Sequence, residues 1–322
     1  MKKVGLALSG GGASGLAHIG VLKVLEDNDI KVDVVSGVSF GALIGGLYSA
    51  GYSAYEIENI AKNIDWGRLL DFTLPVNSFI RGRRFENTIR KLIGNKSFKE
   101  LDKKFSVVAA NLDKGGEVVF EEGDVASAIR ASIAIPGLIA AKRIGKNRYV
   151  DGSLVDPTGI MPLKRKCRIL IAVSLCAPFE KNIKMIKSGK GESEFKSLVS
   201  NNVVGNSVRL FKRAVKENQF QRVPKIFLKT VETILDRLLT PSRLMNLLSG
   251  GISPGMVETV LRSYQISMNR LHNLNLEIGK PDVVITPEHK YLGWVEFDKI
   301  DEFILAGEKA ARKEIKKIKR LL

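Results

Sequence analysis

The chain has 322 residues, of which 44% are apolar and 26% are charged. This length and composition allow a sizeable core, exclude a disordered or fibrous chain, and fit one or two domains. The net charge is +17, and most of the surplus follows Ile160: 30 basic and 16 acidic side chains there compare with 21 and 18 up to that residue. Such an asymmetry indicates an anionic partner, for example a membrane surface or a nucleic acid.

No segment is expected to act as a signal peptide or to span a bilayer. The apolar stretch at the start of the chain is interrupted by Gly10–Gly12, and no uninterrupted apolar run approaches the ~20 residues that a membrane span needs. Cys167 and Cys176 flank an apolar run that is expected to be an extended strand, so they are expected to stay reduced. We expect a cytoplasmic protein, at most peripheral to a membrane, with no metal site and no cofactor.

The first part of the chain alternates predicted strands and helices. Val4–Leu8 is a short apolar run before turn residues, which predicts a buried strand, and Gly15–Asn28 follows with helical apolar spacing. Val32–Val35 predicts a second strand, Ser36–Gly41 a tight turn and Ala42–Tyr48 a second helix. This alternation indicates an α/β fold with a mainly parallel sheet.

Both ends of the sequence contribute to that sheet. Further strands are predicted at Phe105–Ala110, Glu117–Phe120, Ile169–Val173 and Val283–Ile285, and further helices at Tyr55–Ile64 and Arg84–Ile93. From about residue 181 to residue 275 only helical spacing remains, and Lys181 to Arg243 carries 14 basic and 5 acidic side chains. We therefore predict a core at 1–180, a basic helical insertion or cap at 181–253, and a C-terminal part at 254–322 that completes the core.

The strongest single motif is Gly37-Val38-Ser39-Phe40-Gly41. It matches the G-x-S-x-G nucleophile elbow and lies between a predicted strand and a predicted helix, as that motif requires. The sharp turn brings neighbouring segments close to Gly37 and Gly41 and exposes the Ser39 hydroxyl at a helix N-terminus. A glycine- and serine-rich helix start is the simpler alternative, but the context favours a catalytic serine.

A glycine-rich loop, Ser9–Gly15, follows the first strand and can turn several backbone N–H groups inward. Such a loop serves either as an oxyanion hole or as a phosphate cradle. Gly10, Gly12 and Gly15 satisfy G-x-G-x-x-G, but Asp33 is only a loose match to the ribose-binding acid of nucleotide-binding folds. The serine elbow one strand later favours an oxyanion hole formed by Gly10, Gly11 and Gly12.

The catalytic base has more than one candidate. The chain has three histidines, and His18, in the first helix, is expected to pack or cap. Either His272 or His289 could complete a Ser-Asp-His order, although the elbow of an α/β-hydrolase follows several strands rather than two. Asp151, in a strand-like segment that ends in Asp-Gly, is an alternative base or an ordinary turn residue.

Together these motifs resemble the patatin-like phospholipases. The resemblance covers about two thirds of the chain and rests on the glycine loop Gly10–Gly15, the elbow Gly37–Gly41 and Asp151-Gly152-Ser153, in that order. It extends to Ala128–Gly137, which looks like the block between elbow and aspartate, and to Pro281–Pro287, which looks like the closing strand of bacterial members.

The resemblance implies a three-layer α/β/α fold and a serine acyl hydrolase of lipid or phospholipid esters. Ser39 would be the nucleophile, Asp151 its base, and the glycine loop the oxyanion hole, without a catalytic histidine or a metal. This chain departs from the family pattern at three positions, with Ser14 in place of a basic residue, Ser153 in place of Gly or Ala, and Asp156 in place of Asn. The loss of the basic side chain bears on head-group preference more than on hydrolysis.

Two other function classes stay open at this stage. A non-catalytic protein could use the glycine loop for a phosphate-containing ligand, and a basic scaffold could bind a membrane or a nucleic acid. Nucleic acid is not expected, because the few aromatic side chains of the insertion fall at helix-core spacings. The insertion is expected to dock on an anionic membrane or to be plainly solvated. Glu308–Leu322 is expected to pack Ile315, Ile318 and Leu322 on the sheet, with an interfacial helix as the alternative.

Overall fold

A computed structural model describes residues 2–69, 71, 78, 80–175, 254–288 and 296–322. The chain divides into two compact units, one formed by Met1–Phe179 with Ser267–Leu322 and one formed by Glu180–Ile266. The predicted insertion at 181–253, together with Cys176 and His289, lies outside the described residues. The strands described below all belong to the first unit.

The described part of the first unit is built on an eight-stranded sheet with the order β5-β6-β3-β2-β1-β7-β8, with β4 paired to β3. Its central strands are parallel, and β4, β5 and β6 add antiparallel pairs at one end. The strands are β1 Val4–Leu8, β2 Val34–Val38, β3 Lys104–Asn111, β4 Glu117–Phe120, β5 Lys142–Ile144, β6 Asn147–Asp151, β7 Ile169–Val173 and β8 Val283–Ile285.

Helices connect the parallel strands. The described α-helices are α1 Ala17–Glu26, α2 Phe40–Ser49, α3 Ala54–Asn63, α4 Trp66–Leu69, α5 Arg83–Leu92, α6 Val125–Ser132, α7 Pro254–Gly279 and α8 Ile300–Leu321. A 3₁₀ helix at Gly12–Leu16 leads into α1, and another spans Met161–Leu163. The sequence sets some of these boundaries locally: Ser53 and Glu56 form a capping box that begins α3.

The two faces of the sheet are covered by separate layers. On one face, β1, β2 and β7 pack with α1, α2 and α8 in a large apolar cluster. On the other face, Ala7, Leu170 and Ala172 pack with Leu163 and with Leu276 from the C-terminal part of α7. Strands that are buried on both faces are continuously apolar, as β1 and β7 are. The predicted three-layer α/β/α class with a mainly parallel sheet is confirmed.

The largest difference from the predicted elements is at β2. The strand was expected to end at Val35, but it continues to Val38, so the predicted turn at Ser36–Gly41 contracts to one residue between β2 and α2. The first helix also begins later than expected, because residues 12–16 form the 3₁₀ helix instead. The short strand β5 was not predicted, since Lys142–Ile144 contains a single apolar residue.

Helices α1 and α8 approach each other closely at Gly20 and Gly307. A Cβ atom on Gly20 would fall on the carbonyl oxygen of Ile304, and one on Gly307 would fall on that of Ala17. Lys23 of α1 reinforces the contact with a 2.7 Å ion pair to Glu308. Ile318 of α8 is buried, as the apolar stripe predicts, whereas Leu322 is exposed, which contradicts its place in that stripe. No described helix has the length and hydropathy needed to cross a bilayer.

Candidate active site

Ser39 occupies a single-residue elbow between β2 and α2. Its φ of 51° and ψ of −122° lie outside the conformations that non-glycine residues ordinarily adopt. Strain of this kind persists only where the surrounding structure imposes it, and it clusters at functional sites. The elbow leaves Ser39 at the N-terminus of α2, where the first N–H groups of a helix have no partner within the helix.

Gly37 and Gly41 flank Ser39, and glycine is required there because a side chain would collide with neighbouring backbone atoms. A Cβ on Gly41 would collide with the carbonyl oxygen of Leu8, and one on Gly37 would approach the carbonyl oxygen of Gly41 to 2.5 Å. The elbow therefore packs directly against the backbone at the end of β1, and its two glycines lie close to each other. The positions Gly37 and Gly41 thus agree with the physical account of the G-x-S-x-G motif.

Asp151 is the side chain that lies against Ser39. The Ser39 hydroxyl donates a 2.7 Å hydrogen bond to Oδ2 of Asp151. The sheet register produces this contact, because β2 pairs with residues 104–108 of β3 and β6 pairs with residues 109–111, so that Asp151 stands where β2 stops. The other carboxylate oxygen, Oδ1, accepts a 2.8 Å bond from the N–H of Ser153.

Burial controls the charge of this carboxyl group. Asp151 is 1% exposed, and this desolvation raises its pKa to about 6, although the hydrogen bonds from Ser153 and Ser39 act in the opposite direction. A carboxylate with a pKa near 6 is ionised at neutral pH and yet basic enough to accept a proton from a positioned hydroxyl. The arrangement therefore supplies a serine with an adjacent, poised base.

Ser132 holds the backbone of the elbow, and sequence reasoning did not single it out. Its hydroxyl accepts a 2.7 Å bond from the N–H of Ser39 and donates a 2.6 Å bond to the carbonyl of Val108. Ser132 lies at the end of α6, inside the segment Ala128–Gly137 that carries part of the family resemblance. A residue 93 positions away in sequence thus stabilises the strained turn.

The glycine loop lies beside the elbow, and its three predicted donors differ. The N–H of Gly10 donates to the carbonyl of Pro157 at 3.1 Å, so it is not free for an oxyanion. No described residue accepts a bond from the N–H of Gly11 or Gly12. Within the described part of the chain, the loop therefore keeps the N–H groups of Gly11 and Gly12 without an acceptor. The N–H of Phe40 at the start of α2 is a donor of the kind that serine elbows use.

Ser14 aligns one of those donors. Its hydroxyl, which is almost fully buried, donates a 2.7 Å bond to the carbonyl of Gly11. The carbonyl of Gly11 and the N–H of Gly12 belong to one planar trans peptide and point in opposite directions. Because Ser14 holds the carbonyl, the N–H of Gly12 is directed away from Ser14. This position, where the family usually has a basic residue, therefore carries a side chain that orients the loop.

Neither described histidine contacts Ser39 or Asp151. His18 is buried and donates from Nε2 to the carbonyl of Ser9 at 2.9 Å, so the expected packing role of His18 is confirmed. Nε2 of His272 lies 2.7 Å from the hydroxyl of Ser174. Burial lowers the pKa of each imidazole to about 4, so both are neutral at neutral pH. A Ser39–Asp–His272 triad therefore has no support in the contacts.

Asp156 organises the loop that follows Asp151. This carboxylate, which is fully buried, accepts hydrogen bonds from three backbone N–H groups, from the hydroxyl of Thr158 and from the amide of Asn275 at 2.8 Å. The neighbouring Pro157 carbonyl is the acceptor for Gly10. Asp156, which stands where the family has an asparagine, thus receives a hydrogen bond from Asn275 of α7.

A nucleotide-binding role of the glycine loop finds little support among the described residues. Asp33, the loose match to a ribose-binding acid, lies before β2 and accepts a 2.8 Å bond from the N–H of Val4, at the opposite end of the parallel strands from the loop. No cluster of three or more His, Cys, Asp or Glu suited to a metal ion occurs in the described ranges. Cys167 has a free thiol that donates to the carbonyl of Leu163.

Comparisons with known proteins find a family and several relatives that this chain resembles. Residues 6–164 match the model of the family described as patatin-like phospholipase. The chain is 28% identical over 313 residues to an uncharacterized NTE family protein of Mycobacterium tuberculosis, covering 97% of this chain and 46% of that protein. It is 32% identical over 181 residues to lysophospholipase NTE1 of Debaryomyces hansenii, covering 54% of this chain and 12% of that protein.

The fold is an α/β fold with a G-x-S-x-G elbow between β2 and α2, and the family match makes this class more specific. The chain belongs to the patatin-like phospholipase family through residues 6–164. Among solved structures it is similar to VipD from Legionella pneumophila, with a TM-score of 0.48 and 18% identity, over 68% of this chain and 55% of VipD. The chain spans about half the length of the Mycobacterium relative that it matches.

Proposed function

We propose that this protein is a serine acyl hydrolase that cleaves the ester bonds of lipids, with Ser39 as nucleophile and Asp151 as general base. The observation that carries the proposal is the 2.7 Å hydrogen bond between a serine on a strained elbow and a buried carboxylate with a raised pKa. Ser39 also lies beside the glycine loop, where no described residue accepts a bond from the N–H of Gly11 or Gly12, and this supports the same chemistry. Membership of the patatin-like phospholipase family supports a lipid as the substrate.

In the acylation step, Oγ of Ser39 attacks the ester carbonyl carbon while its proton passes to Oδ2 of Asp151. The carbonyl oxygen becomes an oxyanion, and the N–H groups of Gly11, Gly12 and Phe40 donate to it. When the tetrahedral intermediate collapses, the bond to the leaving oxygen breaks and that oxygen takes the proton from Asp151. The products of this half are an acyl-Ser39 ester and a free alcohol.

Deacylation repeats the sequence with water as the nucleophile. Asp151 accepts a proton from water as the water oxygen attacks the acyl-Ser39 carbonyl, and the same N–H groups hold the second oxyanion. Collapse of this intermediate breaks the bond to Oγ, which regains its proton from Asp151, and a fatty acid leaves. The base is used twice and is restored at the end, so no cofactor enters either half.

The proposal also covers the head group of the lipid and contact with a membrane. One matched relative is named a lysophospholipase, which favours a lysophospholipid as the first phospholipid substrate to try. The basic insertion at 181–253 lies outside the described residues, so its docking on an anionic membrane stays a prediction of the sequence. Each Lys or Arg near an anionic bilayer contributes about 1 kcal/mol, so a few would suffice.

A fluorophosphonate serine probe tests the proposal without knowledge of the substrate. We expect an adduct on Ser39, located by peptide mass spectrometry, in the wild-type protein and none in Ser39→Ala. Ser174→Ala is the matched control, because Ser174 is also buried and also hydrogen-bonded to an ionisable side chain. It should label like wild type.

Hydrolysis of a lysophospholipid should follow the same pattern in the three proteins. An adduct on Ser174 instead of Ser39 would overturn the assignment of the nucleophile. If folded wild-type protein gave no adduct even with detergent or anionic vesicles present, the proposal of a hydrolase would fail. Thermal stabilisation by phosphate-containing ligands would then become the observation to seek.

A further inference from the structure

Ser153 contacts the carboxylate of Asp151 with its side chain as well as with its backbone. It follows the Asp-Gly turn at the end of β6, and its side chain is almost fully buried. The N–H of Ser153 donates a 2.8 Å bond to Oδ1 of Asp151, and its hydroxyl hydrogen-bonds to the same carboxylate. Ser153 thus supplies two of the hydrogen bonds that Asp151 receives.

The glycine loop lies against this hydroxyl. A Cβ atom on Gly10 would lie 2.4 Å from Oγ of Ser153 and 3.4 Å from Cβ of Ser39. The hydroxyl is therefore placed between the glycine loop and the base, close to the nucleophile. Because the N–H bond to Pro157 fixes Gly10, the loop closes one side of the space in which the hydroxyl could rotate.

The elements packed around Asp151 carry further ionisable side chains, and these have other partners or lie far along a strand. They are Arg130 of α6, Lys104 at the start of β3, Lys142 and Arg143 of β5, Arg148 and Tyr149 of β6, and Asp156. The partners are backbone carbonyls for Arg130, Glu86 for Lys142, Asp113 for Arg143 and Arg148, Asn147 for Tyr149, and Thr158 and Asn275 for Asp156. Among the described residues, burial and the bonds from Ser39 and Ser153 therefore determine the charge of Asp151.

We propose that Ser153 is a positioning residue for the catalytic base, and that its hydroxyl keeps the Asp151 carboxylate ionised, and hydrolysis active, at more acidic pH. A donor to a carboxylate stabilises the ionised form and so opposes the effect of burial. The inference rests on the proposed function and deepens it, because it assigns the acid limit of that activity to one hydroxyl. Serine stands here in place of Gly or Ala, neither of which has a hydroxyl.

Ser153→Ala removes the hydroxyl and keeps the N–H bond to Oδ1. The pKa of Asp151 should then rise above its value of about 6 by about one pH unit, the size expected for a lost hydrogen bond to a charged group. For a short ester, kcat/KM should fall about tenfold relative to wild type at pH 5 and stay within about twofold at pH 9. A purely structural role would lower activity to the same extent at every pH.

Ser36→Ala is the matched control. Ser36 is a buried serine of β2, and no described residue hydrogen-bonds to its hydroxyl. This variant loses the same atom from the same sheet without touching Asp151, so its acid limb should coincide with that of wild type.

A second measurement does not depend on catalysis. In protein labelled with ¹³C at the aspartate carboxyl carbons, the resonance that is missing from Asp151→Asn identifies Asp151, and its chemical shift follows the charge of the carboxyl group. The midpoint of this titration should be higher in Ser153→Ala than in wild type by about one pH unit, and Ser36→Ala should leave it unchanged.

The outcomes separate this inference from the proposed function. If esters are hydrolysed but Ser153→Ala keeps the acid limb of wild type, the inference is overturned and the hydrolase stands. If no ester is hydrolysed, the proposed function fails and the carbon titration alone decides whether the hydroxyl of Ser153 stabilises the ionised carboxylate. Equal midpoints in wild type and Ser153→Ala would then overturn the inference.

Discussion

In the described part of the first unit, two buried serines that each directly follow a parallel strand hydrogen-bond to an ionisable side chain at 2.7 Å: Ser39 with Asp151 and Ser174 with His272. Both follow a parallel strand, β2 for Ser39 and β7 for Ser174, at the same carboxyl edge of the sheet. By residue type alone, the serine and histidine pair would be the more familiar catalytic couple. The surroundings of the two pairs nevertheless differ.

Ser39 is held on a strained elbow at a helix N-terminus, next to a loop in which two N–H groups have no described acceptor. Ser174 continues from its strand, and its own N–H donates to the carbonyl of Ile285. The comparison teaches that a neighbouring base is not sufficient to make a serine hydroxyl a nucleophile. Exposure of the oxygen to a carbonyl and donors for the resulting oxyanion supply the rest. The predictions below separate the two pairs by measurement.

The largest difference is expected when each serine loses its partner. Asp151→Asn keeps the shape of the side chain but removes the base, so kcat for a short ester should fall by ~10²–10⁴. His272→Gln keeps a hydrogen-bonding group near Ser174 and should change kcat by less than about fivefold. Steady-state kinetics on folded proteins, checked by circular dichroism, decides the matter. A larger loss in His272→Gln than in Asp151→Asn would reverse the comparison.

The pH dependence of kcat/KM should follow the aspartate rather than the histidine. Asp151 acts when ionised, and its pKa is raised to about 6, so activity should fall tenfold per pH unit below that value and about a hundredfold by pH 4. His272→Gln should leave this acid limb in place. An acid limb that vanishes in His272→Gln would assign the titration to the imidazole.

Stability gives the two pairs opposite signatures. The pKa of Asp151 is raised on folding from 3.8 to about 6, so its ionisation opposes folding as the pH rises through that range, by roughly 3 kcal/mol above pH 6. Asp151→Asn should therefore stabilise the protein at pH 8 and lose that gain near pH 4. The pKa of His272 is lowered from 6.5 to about 4, so the gain from His272→Gln should appear only as the pH falls below 6.5.

Urea unfolding of wild type and both variants at pH 8, 6 and 4 measures these gains. Equal stability of wild type and Asp151→Asn at pH 8 would contradict the cost assigned to burial of the carboxylate.

A smaller effect is expected from Ser14→Ala. Without the bond to the carbonyl of Gly11, the peptide that carries the N–H of Gly12 is free to rotate, and kcat should fall about tenfold, less than the ~10²–10³ of a donor that is lost outright. KM for a short ester should stay within about twofold, and Ser14→Thr should restore kcat. Unchanged kcat in Ser14→Ala would remove the aligning role.

The sequence allowed prediction of those features that are determined within a few neighbouring residues. The elbow glycines, the Asp-Gly turn and the apolar strands each show a pattern within a few residues, and the predicted fold class is confirmed. The contacts of Ser132 with Ser39 and of Asn275 with Asp156 join residues that are 93 and 119 positions apart. Such pairs leave no periodicity or spacing for a single sequence to display.

The bond that the N–H of Gly10 makes could not be predicted for a related reason. The sequence shows that Gly10, Gly11 and Gly12 can turn their N–H groups inward, but not that the first is already bonded to Pro157. The extent of β2 was missed because Ser36 and Gly37 are typical of turns, and here the neighbouring strands override that preference. At the residues just before the elbow, pairing with β1 and β3 thus outweighs the local preference for a turn.

The crossing of α1 and α8 also bears on how the chain matures. During synthesis, α1 emerges about 280 residues before α8, so the side of α1 that carries Gly20 and the outer edge of β7 stay uncovered until β8 and α8 follow. The N-terminal half of the chain alone cannot complete the sheet during synthesis. A ribosome that stalls before residue 280 therefore leaves a nascent chain with an open strand edge and an apolar helix face, the kind of surface that chaperones bind and that aggregates.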